Sequence, residues 1–151
     1  MFIGLLHLHS LLRWVVLVLM LVSIVKAFQG KSSGVAYNEK KLNMFTVLAF
    51  HIQVLIGVAL YFMSDVVNMA LHTEHLMKNA FARFWAIEHI FVMAVATILL
   101  TIGNAKAKRK TTDLEKHKTI FTFFIITLII VIATIPWPFR EAIGRNLFSF
   151  M

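Results

Sequence analysis

Residues 42–64 read LNMFTVLAFHIQVLIGVALYFMS and contain no Lys, Arg, Asp or Glu. This stretch is longer than the ~18 apolar residues that mark a candidate membrane-spanning helix. A helix satisfies its own backbone hydrogen bonds in lipid, whereas a single extended chain does not. The stretch therefore predicts a transmembrane helix that carries His51 and Gln53 into the membrane.

Three other stretches of the chain have the same apolar character. Residues 2–25 contain one charged side chain, Arg13, and residues 84–105 also contain one, Glu88. Residues 119–139 contain none. We therefore expect four transmembrane helices, at about residues 2–27, 42–64, 81–105 and 117–136.

The composition agrees with a membrane protein. Of the 151 residues, 60% are hydrophobic, and the mean hydropathy is +0.82. Soluble domains contain roughly 45–50% apolar residues. The predicted fold class is all-α, an integral membrane four-helix bundle that forms a single domain over residues 1–151. Apolar side chains in the second loop predict a short helix in the membrane interface at about residues 66–79.

The distribution of charge predicts the orientation in the membrane. The net charge is +8, and ten basic residues lie in or beside the first and third loops, at about residues 26–41 and 106–118. The opposite side carries four: Lys78, Arg83, Arg140 and Arg145. Loops rich in Lys and Arg remain in the cytoplasm. We therefore expect both termini on the periplasmic side, and we explain the basic residues by topology and not by a nucleic-acid partner.

Several ionisable or polar side chains lie inside the predicted helices, where such groups are costly and commonly functional. They are His7, His9, Arg13, His51, Gln53, Glu88 and His89. Imidazoles on facing helices of a bundle are common axial ligands of haem b. In that interpretation Arg13 neutralises a haem propionate, and Glu88 orients a ligand or pairs with Arg13.

Two other interpretations of these residues stay open. In the first, the histidines form hydrogen bonds between helices, Arg13 and Glu88 form a structural ion pair, and the protein is a non-catalytic accessory subunit. In the second, the outer loop handles copper, because imidazole and thioether groups are suitable copper ligands. The candidate ligands there are His72 and His75, with three methionines nearby. The chain has no Cys, which excludes disulfides, Fe–S clusters and thiolate zinc sites.

Five motifs together resemble a family of small four-helix membrane proteins of Bacteroidota that are often labelled cytochrome b. They are LLHLHSLLRW (5–14), FHIQVLIGVALYF (50–62), RFWAIEH (83–89), ILLTIGNAKAKRK (98–110) and IPWPF (135–139). The second motif is also distantly similar to cytochrome b561-type and copper-resistance D-type domains. The resemblance implies bis-histidine ligation of haem b by His51 and His89, with His7 or His9 as further ligands.

The resulting functional prediction is a b-type cytochrome of the bacterial inner membrane. We expect it to transfer electrons, beside a quinone or within a larger respiratory complex, as a carrier more than as a stand-alone enzyme. Membrane lipid is the other expected partner.

Overall fold

The structure, a computed structural model, describes residues 1–146 and is all-helical there. The α-helices are α1 (Phe2–Ser33), α2 (Lys40–Met63), α3 (Asp65–Leu71), α4 (Ala80–Arg83), α5 (His89–Arg109) and α6 (Asp113–Thr134). A π-helical segment, Phe84–Glu88, joins α4 to α5 without a break.

Among residues 1–146, four helical stretches are long and apolar enough to cross a membrane: α1, α2, the continuous stretch Ala80–Arg109, and α6. The predicted fold class, an all-α bundle of four membrane-spanning helices, is thus confirmed. α1 packs against α2 and α6, and α5 packs against the same two helices. Within residues 1–146, α1 and α5 do not contact each other closely, so they lie diagonally across the bundle.

Three helices extend beyond the predicted spans: α1 and α5 at their C-terminal ends, and α6 at its N-terminal end. α1 continues to Ser33, where Gly34 adopts a left-handed conformation with φ 68° and its N–H donates to the carbonyl of Gly30. This is a common way to end a helix. α6 begins at Asp113, because the Thr112 hydroxyl accepts from the N–H of Glu115. The first and third loops are correspondingly shorter than expected.

The second loop differs from its prediction. The interfacial segment expected at 66–79 is helical only from Asp65 to Leu71, and the Ser64 hydroxyl caps its start. Turns follow, and His75 has a positive φ of 53°. A non-glycine residue in that region is uncommon and interrupts a helix. Asn79 then caps α4, since its side chain accepts from the N–H of Ala82.

The half of the bundle nearest the first and third loops, here called the basic end, is closely packed. Met20, Leu100, Ile120 and Phe124 are fully buried there. Gly103 contacts the Phe123 side chain so closely that a β-carbon would overlap it. This end therefore has a dense core, as expected for a stable helical bundle.

Polar and aromatic contacts connect the helices and the first loop at the basic end. His117 is buried against Gly30, and its Nε2 lies 3.1 Å from the carbonyl oxygen of Val35. Tyr37 packs edge-on against the His117 ring and accepts a hydrogen bond of 2.7 Å from Asn43. Burial raises the pKa of the Tyr37 phenol, which keeps it protonated. These contacts tie the first loop to α6.

Large apolar side chains cover the outside of the bundle. Exposed examples occur on every long helix: Ile3, Leu11, Val18 and Phe28 on α1, Phe45, Leu55 and Phe62 on α2, Phe91 and Ile98 on α5, and Ile126 and Ile129 on α6. An apolar surface of this extent suits contact with lipid. It supports the expected contact with membrane lipid.

Candidate functional site

A cavity of about 420 Å³ lies in the other half of the bundle, near the second loop. The first turns of α1, the second half of α2, the start of α5 and the end of α6 surround it. Its walls are mainly apolar and include Val54, Val58, Ile90, Met93 and Val131. Its size and lining match those of sites for small molecules and cofactors.

His9 reaches this cavity from α1, and Gly57 of α2 leaves space for its ring. A β-carbon at position 57 would lie 3.1 Å from His9 Cε1, a tight contact. The Gln53 amide donates a hydrogen bond of 2.9 Å to the backbone carbonyl of His9. Gln53 thus connects α2 to α1 at the level of the ring. This contact accounts for one of the two polar side chains in the apolar stretch 42–64.

His89 reaches the same cavity from the opposite side of the bundle. It is the first residue of α5 and follows the π-helical segment directly. The rings of Phe84 and Trp85 lie 5.5 and 6.0 Å from its ring, measured between centroids. Since α1 and α5 are diagonal in the bundle, His9 and His89 approach the cavity from facing helices.

Both imidazoles present a buried nitrogen without a hydrogen-bond partner. Among the atoms of residues 1–146, no group pairs with Nδ1 of His9 or Nδ1 of His89. Each ring also interacts with a backbone group, that of Gln53 for His9 and that of Thr134 for His89. Metal-binding histidines commonly combine one backbone contact with one nitrogen for the metal. The pair has the chemistry of a ligand set.

Two arginines and no carboxylate line this cavity, as far as the described chain shows. Arg13 comes from α1, and Arg145 comes from the segment that follows α6. The Arg145 guanidinium lies 4.5 Å from the centroid of the Trp85 ring, a cation–π contact. The cavity therefore combines apolar walls with two cationic side chains, which suits an apolar ligand that carries acidic groups.

The π-helical segment shapes the cavity wall at the start of α5. The N–H of His89 donates to the carbonyl of Phe84, five residues earlier. The Tyr61 hydroxyl of α2 donates a hydrogen bond of 2.7 Å to the carbonyl of Ala86 within the segment. Single π-turns inside α-helices occur frequently at functional sites. Neither this turn nor the roles of Tyr61 and Arg145 were predicted from the sequence.

Glu88 does not pair with Arg13 as expected. Its carboxylate forms a salt bridge of 2.5 Å with Arg83, five residues earlier on the same helical stretch. Both side chains are partly exposed, and Glu88 does not line the cavity. His7 does not line it either, because residues two apart on a helix point in nearly opposite directions.

His51 lies away from the cavity, so the structure does not bring it together with His89. Its Nδ1 is 2.7 Å from the carbonyl oxygen of Val47, and its Nε2 is 3.4 Å from the Thr101 hydroxyl. It lines a different groove, between α2 and α5 at the basic end. His51 sits one to two turns closer to the basic end than Gly57 does.

The outer loop places His72 and His75 on the surface. Nδ1 of His72 lies 2.8 Å from the carbonyl oxygen of Asn68, and both histidines are exposed. In the part of the chain from 1 to 146, no three His, Asp or Glu side chains converge to hold a metal ion.

Comparison with family models, with curated proteins and with solved structures gives no match for this chain. The resemblance to small membrane cytochromes therefore remains a prediction.

Proposed function

We propose that the protein binds haem b in the cavity between α1 and α5 and transfers electrons in the membrane. One observation carries this proposal: His9 and His89, on diagonal helices, line one apolar cavity and each has a buried Nδ1 without a partner. Four-helix bundles commonly bind cofactors in this way, with ligands from facing helices.

The lining residues fit such a cofactor. His9 and His89 would ligate the iron, and Arg13 and Arg145 would neutralise the two propionates. Val54, Ile90 and the other apolar wall residues would exclude water, which affects the reduction potential. When bound, haem b supplies one-electron exchange between ferric and ferrous iron. His9 thus replaces His51, the residue predicted from the sequence, as the partner of His89.

We also propose that the protein lies in the inner membrane of a bacterium, with both termini and the cavity on the periplasmic side. The excess of basic residues at the other end of the bundle supports this orientation. A haem at this depth would exchange electrons close to the outer surface. A quinone or a subunit of a respiratory complex would be a suitable redox partner, and the protein itself would be a carrier.

Reduced-minus-oxidised absorption spectra of the protein, expressed with ample haem and purified in mild detergent, test the proposal. The wild type is expected to show a sharp b-type α-band. His9→Ala and His89→Ala are expected to lose it, because each removes one ligand. His51→Ala and His7→Ala are matched controls outside the cavity and should retain it.

The other outcomes identify the alternative functions. Absence of a Soret band in the wild type would reject the cytochrome and favour an accessory subunit with structural histidines. Stoichiometric copper that disappears in the double variant His72→Ala, His75→Ala would favour a metal-handling protein.

A further inference from the structure

A second recess, here called the inner groove, lies between α2 and α5 at the basic end. Its volume is about 510 Å³ and it is open to the surroundings. Met44, Val47 and Leu48 form its α2 side. The α5 side consists of Thr101, Asn104, Ala105, Lys108 and Arg109. Since α2 and α5 are neighbours in the bundle, the groove faces outward between two membrane-spanning helices.

The inner groove has an apolar part and a cationic part. Met44 and Leu48 are exposed on the lipid-facing surface. Lys108 and Arg109 lie on the last turn of α5, where the helix leaves the membrane. Neither cation takes part in a salt bridge within residues 1–146, and no carboxylate lines the groove in that range.

His51 belongs to the wall of this groove. Its two ring nitrogens already contact the Val47 carbonyl and the Thr101 hydroxyl. Along α5, Thr101 and Arg109 are eight residues apart, or about 12 Å. The groove therefore extends from the headgroup level into the hydrocarbon region, and its polar groups lie at one end and along one side.

We propose that the inner groove binds an anionic phospholipid of the cytoplasmic leaflet. Lys108 and Arg109 contact the phosphate, and an acyl chain lies along Met44 and Leu48. Basic pockets between transmembrane helices on the cytoplasmic side are known to bind acidic lipid headgroups. The apolar part favours a lipid over a soluble phosphate, and the cationic part favours an anionic lipid over a zwitterionic one. The site is independent of the haem proposal, and its assignment to the cytoplasmic leaflet rests on the orientation proposed above.

The test is native mass spectrometry of the detergent-purified protein, titrated with phosphatidylglycerol or with phosphatidylcholine of the same acyl chains. Phosphatidylglycerol is expected to bind more tightly. The double variant Lys108→Gln, Arg109→Gln should weaken its binding about tenfold or more, because each surface cation contributes to attraction of acidic lipid. The variant Lys108→Arg keeps the charge and should retain binding.

The matched control is the double variant Lys106→Gln, Lys118→Gln. It removes the same charge from the same end of the protein, but Lys106 packs over the Phe123 ring and neither residue lines the groove. Its affinity for phosphatidylglycerol should change less than about twofold. Three results would overturn the proposal: equal binding of the two lipids, equal losses in the two double variants, or competition by free glycerol phosphate at concentrations similar to the lipid.

Discussion

A glycine and a glutamine determine where the His9 imidazole lies. Gly57 gives the ring its space, and Gln53 holds the helix backbone that carries it. Position 57 is therefore a sensitive test of the cavity, since any side chain there points at the ring. Gly4 is a suitable control, because a β-carbon at that position would contact nothing within 4 Å.

Gly57→Leu is expected to displace His9 and abolish the haem α-band. Overpacking of this kind costs about 1–3 kcal/mol. Gly57→Ala should have a smaller effect, since the tight contact of 3.1 Å can be relieved by a small shift of the ring. Absorption spectra and thermal unfolding in detergent measure both effects. An unchanged α-band in Gly57→Leu, with the Gly4→Leu control also unchanged, would show that His9 is not a ligand.

Arg145 is expected to affect the reduction potential of the bound haem. Arg145→Gln removes a positive charge from the cavity lining. The loss of this charge is expected to stabilise ferric iron and so to lower the midpoint potential. A shift of about 50 mV corresponds to roughly 1 kcal/mol for one electron, a reasonable value for a charge nearby. Redox titration measures it. Lys78→Gln is the control, because Lys78 is an exposed cation of the second loop and does not line the cavity. Equal shifts in the two variants would contradict the assignment.

At the scale of elements, the π-helical segment connects the second loop to α5 and sets the position of His89. The Tyr61 hydroxyl from the neighbouring helix satisfies a carbonyl in the segment. At the start of the segment, the Arg140 guanidinium lies over the Phe84 ring and that of Arg145 lies over the Trp85 ring. The segment is thus held from α2 and from the C-terminal segment at once.

Tyr61→Phe is expected to loosen this segment. Loss of the hydroxyl leaves the Ala86 carbonyl without that donor, at a cost of about 1–3 kcal/mol for a buried group. Hydrogen–deuterium exchange should become faster over residues 84–92 and remain unchanged at the basic end. Equal exchange rates over residues 84–92 in the wild type and the variant would contradict a supporting role for Tyr61.

Part of the fold and of the candidate site could be predicted from the sequence. Apolar length predicted the four spans, but the start of α6 at the Thr112–Glu115 capping pattern was not predicted. The choice between His7 and His9 was not accessible, because it depends on how α1 is rotated in the bundle. The π-turn, which has no residue signature, was not accessible either. The partner of Glu88 depended on that local geometry as well.

At the scale of the whole molecule, the two ends of the bundle differ in packing and charge. The basic end has a dense core, whereas the other end encloses the cavity. The expected site mixed residues from both ends, since His51 belongs to the basic half and His89 to the cavity half. The position of each histidine in the sequence predicted its depth in the membrane only to within a few residues. That precision is too low to assign a histidine to one half of the bundle or the other.

The natural absence of cysteine allows a direct test of orientation. Single cysteines at Glu74 in the second loop and at Thr111 in the third, both exposed, provide a matched pair. We expect a membrane-impermeant maleimide to label Glu74→Cys in intact cells and to label Thr111→Cys only after permeabilisation. The reverse pattern would place the cavity on the cytoplasmic side.

The central claim, that His9 and His89 coordinate the same group, is tested most directly by rescue with imidazole. In the haem-loaded protein, His9→Gly and His89→Gly should each lose the low-spin, six-coordinate spectrum and regain it when free imidazole is added. His51→Gly should keep that spectrum without imidazole. Loss of coordination in His51→Gly, or an unchanged low-spin spectrum in the other two variants, would contradict the claim.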